Sequence, residues 1–154
     1  MAETLTFQPA DDHFAERVWE SFNRQGIMHF LGARLVHVAP GECDIELPFK
    51  PELTQQHGFF HGGAIGAIAD SAAGYAGYTL APADSGVLTI EYKLNIVAPG
   101  DGEKLIARGR VIKPGRSVSV TEARVIAIKN GREKLCAICL QSLAVRQGLP
   151  EFLG

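Results

Sequence analysis

From His61 to Leu80 the chain is built mostly of alanine and glycine around Ile65, Ile68, Tyr75 and Tyr78, with no proline before Pro82. Each glycine weakens a helix by about 1 kcal/mol relative to alanine, so the segment is either a weakened helix or a loop. Its length, the lack of proline and the continuous surface of small residues predict a helix that other elements approach closely, ended by Pro82. Asp70 does not fit that description, being the only ionisable side chain between His61 and Tyr75. Burying an ionised carboxylate without partners is costly, so Asp70 has either a functional reason to be there or an exposed place on a partly solvated face.

The flanking sequence supplies what such a helix would pack against. Phe14, Val18 and Phe22 recur at four-residue steps, with Trp19 beside them and Asp11 and Asp12 in front as caps, which predicts an N-terminal helix over about 12–25 that ends at Gly26. Ala33 to Val38 and Cys43 to Phe49 alternate as strands around a Pro40-Gly41 turn, forming a hairpin. After residue 86 four further strands are expected: Val87 to Val97, Glu103 to Lys113, Ser117 to Lys129 and Glu133 to Val145. They are divided by Pro99-Gly100-Asp101-Gly102, Pro114-Gly115 and Asn130-Gly131, the last a strong hairpin signal. Gln147 to Gly154 reads as a short loose tail. The 154 residues suffice for one domain, with a core over about 30–146. The predicted class is α+β, an antiparallel sheet wrapped around the Ala/Gly-rich helix that covers its apolar face.

Composition excludes several functions. The net charge of −2 comes from 15 basic and 17 acidic residues scattered along the chain, without the basic stripe that a phosphate backbone requires, so no nucleic-acid partner is expected. No apolar run approaches the ~18 residues of a spanning helix, so no membrane span is expected. Met1-Ala2-Glu3-Thr4 has neither the basic start nor the apolar core of a secretory signal, which reads as cytoplasmic. Cys43, Cys136 and Cys139 make an odd count, against a disulfide framework. Cys136-Ala-Ile-Cys139 lies in a strand-like run where residues three apart face opposite sides, and no second pair exists. His57 and His61 imitate a zinc pair, but Gly58 stands where the glutamate would be and breaks the helix such a pair needs. No metal and no cofactor are expected. There is no Gly-x-Ser-x-Gly elbow, Ser71 has no evident base, and no phosphate or dinucleotide loop occurs.

The turn His61-Gly62-Gly63 carries the complementary feature. The first N–H groups of a helix have no helical acceptor and lie at the positive end of its dipole, and glycines there let a ligand approach the backbone. Such a turn can polarise a carbonyl and stabilise the oxyanion formed when it is attacked. Gly63 and Asp70 are about two turns apart on the same side of the helix, a rise of ~10 Å, too long for both to hold one reacting carbon. If both act, they come from different subunits across a dimer interface.

Gln55-Gln56-His57-Gly58-Phe59-Phe60-His61-Gly62-Gly63, then Asp70, then Thr89-Ile-Glu-Tyr and Ala98-Pro99 resemble the hotdog-fold acyl-CoA thioesterases of the PaaI-like, phenylacetate-pathway type, over most of residues 30–145. The resemblance implies the hotdog fold and hydrolysis of an acyl-CoA to the free acid and coenzyme A. It implies Asp70 as general base on water or as nucleophile, the Gly62 N–H as carbonyl donor with Gly63 beside it, and His61 as the residue that positions the thioester or its turn. Gln55 falls where the family has asparagine; its amide is one methylene further out, a departure that bears on acyl-chain length. Thr89 matches a hydroxyl that orients the attacking water, though it also shares a polar strand parity with Glu91, Lys93 and Asn95 and reads equally as a surface threonine. Arg116, in the Lys113-Pro-Gly-Arg116 turn, is a candidate for the phosphates of coenzyme A. The resemblance also implies homodimers or homotetramers joined through the strand that carries Leu88, Ile90, Tyr92, Leu94 and Ile96. Aliphatic and aromatic acyl groups both stay open, as do two other readings: a hotdog hydratase or dehydratase on acyl thioesters, and a non-catalytic acyl-CoA-binding module.

Overall fold

The structure is a computed structural model and describes residues 5–149. In chain order it contains α1 (Phe14–Arg24), α2 (Gly26–Leu31), β1 (Arg34–Ala39), β2 (Glu42–Pro48), a 3-10 turn (Pro51–Leu53), α3 (Gly62–Tyr78), β3 (Ser85–Ile96), β4 (Lys104–Lys113), β5 (Val118–Lys129) and β6 (Arg132–Gln147). The six strands form one antiparallel sheet in the order β1-β2-β4-β5-β6-β3, and α3 lies against its inner face. This is the hotdog arrangement.

Alternation along the strands builds the inner face. Cys43, Ile45 and Leu47 of β2, Leu105 and Ala107 of β4, Ala123 and Val125 of β5, and Cys139 and Leu143 of β6 are all fully buried against α3. The small residues of the helix set how closely it sits. A Cβ on Gly109 of β4 would lie 2.1 Å from the Ala72 carbonyl oxygen, so only glycine permits this approach of sheet to helix backbone. At the far hairpin Asn130 and Gly131 both take positive φ, 51° and 73°, the two-residue primed turn that the dipeptide predicts.

Two local expectations are corrected. The α1 N-cap is His13, which makes no side-chain capping bond; Asp11 instead accepts the His13 N–H through Oδ1 and pairs through Oδ2 with Arg17 at 3.0 Å. These two partners, the His13 amide foremost, hold the Asp11 carboxyl below the usual carboxylate range. Arg17 also donates to the carbonyls of Ala81 and Pro82 and lies 4.6 Å over the Tyr78 ring, fastening α1 to the end of α3. The helix expected to end at Gly26 ends at Arg24, and Gly26 instead opens α2, whose Met28 and Leu31 are buried and whose end is Gly32 at φ 80°. Six residues are too few to display a helical period in sequence.

β6 runs to Gln147, the first residue of the expected tail; residues 150–154 of that tail, and Met1 to Thr4, lie outside the described residues. Among the described residues no helix is long and apolar enough to cross a membrane. β3 is an edge strand with Leu88, Ile90, Tyr92 and Ile96 exposed.

Candidate active site

Asp70 lies two turns into α3, half-buried, and its surroundings come from β3 and β6. Thr89 Oγ1 of β3 donates to Asp70 Oδ1 at 2.7 Å. The Gln141 amide of β6 donates through Nε2 to the same Oδ1, and also approaches the Asp70 carbonyl at 3.3 Å and Thr89 Oγ1 at 3.2 Å. Gln141 Oε1 in turn accepts from Thr121 Oγ1 of β5 at 3.1 Å. Oδ1 is therefore held by two donors, whereas Oδ2 has no hydrogen-bond partner among the described residues. Cys139, the inward neighbour of Gln141, registers the carboxylate: burial first and the Asp70 charge second push its thiol up to about 11.

A bulge lets Thr89 reach this position. Thr89 pairs with Leu143, but Glu91 pairs with Ser142, so Ile90 is an extra residue between them. Without it Thr89 and Glu91 would share a face. With it Thr89 turns inward with Leu143, and Glu91 turns outward, where its carboxylate accepts from Ser142 Oγ at 3.3 Å.

Next to Asp70 is a cavity of about 260 Å³ between α1, α3 and β3, lined among others by Gly74, Tyr75, Val87, Thr89 and Leu143. Its wall toward α1 is tied by Ser21 Oγ to Tyr75 OH at 3.1 Å and by Ser71 Oγ to Gln25 Oε1 at 2.9 Å. Ser71 thus has a structural partner.

Of the other predicted residues, all but Arg116 gather at the start of α3. His61 is the N-cap: its Nδ1 accepts the Gly63 N–H at 2.8 Å, which requires that nitrogen to be unprotonated, and its own N–H is held by the Leu53 carbonyl. The Gly63 amide is therefore already engaged, and the donor left without an acceptor among the described residues is the Gly62 N–H. Gln55 Oε1 accepts from the amides of His57 at 2.5 Å and Phe59 at 3.3 Å, closing a tight turn in which Gly58 takes φ 81°. Gln55, Phe59, Phe60, Gly62 and Ile96 line a separate groove of about 490 Å³. His57 sits exposed in the turn and not on a helix with His61.

The candidate residues of one chain thus fall into two separate groups. Gly62 and Asp70 are eight residues apart on one straight helix, ~12 Å at ~1.5 Å per residue. Arg116 is remote from the Gly62 end: Val118 pairs with Ala144, which pairs with Leu88, whereas Gly62 lies against Ile96, eight residues further along β3, ~27 Å at ~3.4 Å per residue. Gln141 and Thr121 were not anticipated from sequence. The signal for Gln141 was present, an amide on the inward parity of β6 between Cys139 and Leu143, where apolar residues belong.

With this geometry in hand, the chain can be set beside known proteins. Residues 57–134 match the thioesterase superfamily model. A crystal structure of a thioesterase family protein from Silicibacter pomeroyi is 39% identical, covers 88% of this chain and 99% of its own, and superposes with a TM-score of 0.86. The 1,4-dihydroxy-2-naphthoyl-CoA hydrolase of Listeria monocytogenes is 27% identical across 79% of this chain and 97% of its own. The E. coli PaaI protein of the phenylacetic acid degradation operon, 17% identical over 88% of this chain and 96% of its own, shares the fold with a TM-score of 0.74.

Proposed function

The chain belongs to the thioesterase superfamily and is a hydrolase acting on thioesters, and from that premise we propose that its substrate is an acyl-CoA, cleaved to the free acid and coenzyme A with Asp70 as the catalytic carboxylate. The observation that carries this reading is the state of Asp70: Oδ1 saturated by Thr89 and Gln141, Oδ2 unpartnered, beside a cavity of about 260 Å³ able to receive an acyl group. The Listeria hydrolase supports a coenzyme A thioester as the substrate class.

In the base route Oδ2 takes a proton from water and the hydroxide attacks the thioester carbon. The Gly62 N–H stabilises the oxyanion, the C–S bond breaks, and the thiolate leaves with the proton that Asp70 accepted. In the nucleophile route Oδ2 attacks the carbon directly, the C–S bond breaks and coenzyme A leaves as the thiolate; water then cleaves the mixed anhydride, freeing the acid and the Asp70 carboxylate and supplying the proton that the thiolate takes up. Thr89 fixes the carboxylate in both. His61 shapes the turn by holding the Gly63 amide, and Gln55, its amide oxygen tied to the loop, lines the groove beside Gly62.

Because Gly62 and Asp70 of one chain stand ~12 Å apart, each active site takes Asp70 from one protomer and the Gly62 turn from its partner. The exposed apolar edge of β3 supports pairing with a second copy, since a long unpaired edge otherwise invites aggregation. Such pairing gives a homodimer, able to associate further into a tetramer. Arg116 is our candidate for a phosphate of coenzyme A. A coenzyme A substrate supports a cytoplasmic location.

The test is release of free coenzyme A, followed with a thiol reagent, across acyl-CoA thioesters from acetyl to palmitoyl and phenylacetyl. Hydrolysis peaking over one range of acyl groups is expected; no thiol release from any of them would overturn the reading in favour of a hydratase or a binding module.

A further inference from the structure

Gln141 interrupts the inner face of the sheet. Its inward neighbours Cys139 and Leu143 are fully buried and apolar in contact, and Gln141 itself is 1% exposed. A leucine would suit the packing better, since a buried amide must recover the hydrogen bonds it gives up to water. The partners it finds are not scattered: they are the Asp70 carboxylate, the Asp70 carbonyl and the Thr89 hydroxyl on one side, and the Thr121 hydroxyl, fully buried, on the other.

We propose that Gln141 is a positioning residue for the hydrolytic reaction, holding Asp70 Oδ1 so that Oδ2 alone faces the substrate, and that Thr121 sets which end of the Gln141 amide points at the carboxylate. This rests on the reading of Asp70 given above. An ionised carboxylate only accepts hydrogen bonds, so the amide must present its NH2. A glutamine amide can flip, and a flipped Oε1 would oppose the carboxylate; the Thr121 hydroxyl, donating to Oε1, removes that alternative. Nε2 also approaches the lone pairs of Thr89 Oγ1, leaving the Thr89 hydrogen for Oδ1. The chain Thr121–Gln141–Thr89–Asp70 thereby loads one carboxylate oxygen completely. The proton transferred from water, or the new C–O bond, forms at the other.

The test uses the full-length protein with octanoyl-CoA and phenylacetyl-CoA as probes and compares Gln141→Leu, Thr121→Val, the double variant and Asp70→Asn. Gln141→Leu should lower kcat about 10-fold, as for loss of a hydrogen bond to a charged group, with KM within about twofold because the amide does not touch the acyl group. Thr121→Val should act in the same direction by about threefold and add nothing in the Gln141→Leu background, which is the coupling a shared chain predicts.

Folded variants with unchanged kcat, a loss that falls on KM instead of kcat, or effects that simply add, would overturn the proposal. Should Gln141→Leu fail to fold, Thr121→Val, isosteric and out of contact with Asp70, decides alone. Wild-type protein inert on both probes, or an active Asp70→Asn variant, would instead overturn the function reading and this proposal with it. Essential Asp70 with an unaffected Gln141→Leu would overturn this proposal only.

Discussion

Asp70→Asn separates chemistry from structure unusually well in this protein, because the two donors that hold Asp70 converge on one oxygen. Asparagine can leave its carbonyl where Oδ1 stands, still accepting from Thr89 and Gln141, and put its NH2 where Oδ2 stands. Each charge-assisted bond becomes a neutral one, a loss of about 1 kcal/mol apiece, partly offset because a half-buried charge no longer needs solvating. The net cost should stay under about 2 kcal/mol, or a fall in Tm below about 8 °C for a chain of this size. The NH2 neither accepts a proton nor attacks a carbonyl. Removing a general base costs about 100- to 10,000-fold, equivalent to about 3 to 5 kcal/mol of barrier. The assay pairs thiol release from acyl-CoA with a melting curve and a size-exclusion profile on the same preparation. A folded variant of unchanged oligomeric state that retains more than about a tenth of wild-type kcat would refute the assignment, since no base or nucleophile is that dispensable.

Gly62→Pro should remove the carbonyl donor without breaking α3, because proline suits the first helical position and His61 before it already has φ −64° and ψ 140°, as a pre-proline residue requires. Circular dichroism should be unchanged while kcat falls about 100-fold or more; a smaller loss would mean that another donor holds the oxyanion. Gly109→Ala should lower stability by about 3 kcal/mol or prevent folding, since its Cβ would meet the Ala72 carbonyl oxygen at 2.1 Å, and a Tm within a few degrees of wild type would contradict that close approach. Ile90→Lys, placing a charge on the exposed edge of β3, should shift the sedimentation profile toward monomer and lower activity together; full activity in a monomer would rule out a shared site. Cys43, Cys136 and Cys139 are buried, and burial raises all three thiols, so at pH 8 native protein should show no fast-reacting thiol and denatured protein three; rapid native labelling would contradict their burial.

Where physics is local, the sequence was a sufficient guide. The Ala/Gly composition of residues 61–80 announces a helix that others approach closely, and alternation and turn residues mark β1 to β6 to within two residues at nearly every end. The lone Asp70 and the His61-Gly62-Gly63 turn mark the candidate site, because a carboxylate among small apolar residues and glycines at a helix start are conspicuous wherever the chain goes. Tertiary structure alone decided the partners. Gln141 meets Asp70 across 71 residues of sequence: strand alternation tells that it points inward, but only the docking of α3 on the sheet tells which helix residue it faces. Thr89 turns inward because a single extra residue in β3 reverses the parity that its neighbours Glu91, Lys93 and Asn95 suggest. Arg17 clasps the end of α3 across 64 residues of sequence, a contact that only the docking of α1 decides. Local periodicity is written into adjacent residues by backbone hydrogen bonding, whereas register and side-chain pairing across elements follow from how closely two buried surfaces can approach, here the 2.1 Å that a Cβ on Gly109 would leave to Ala72.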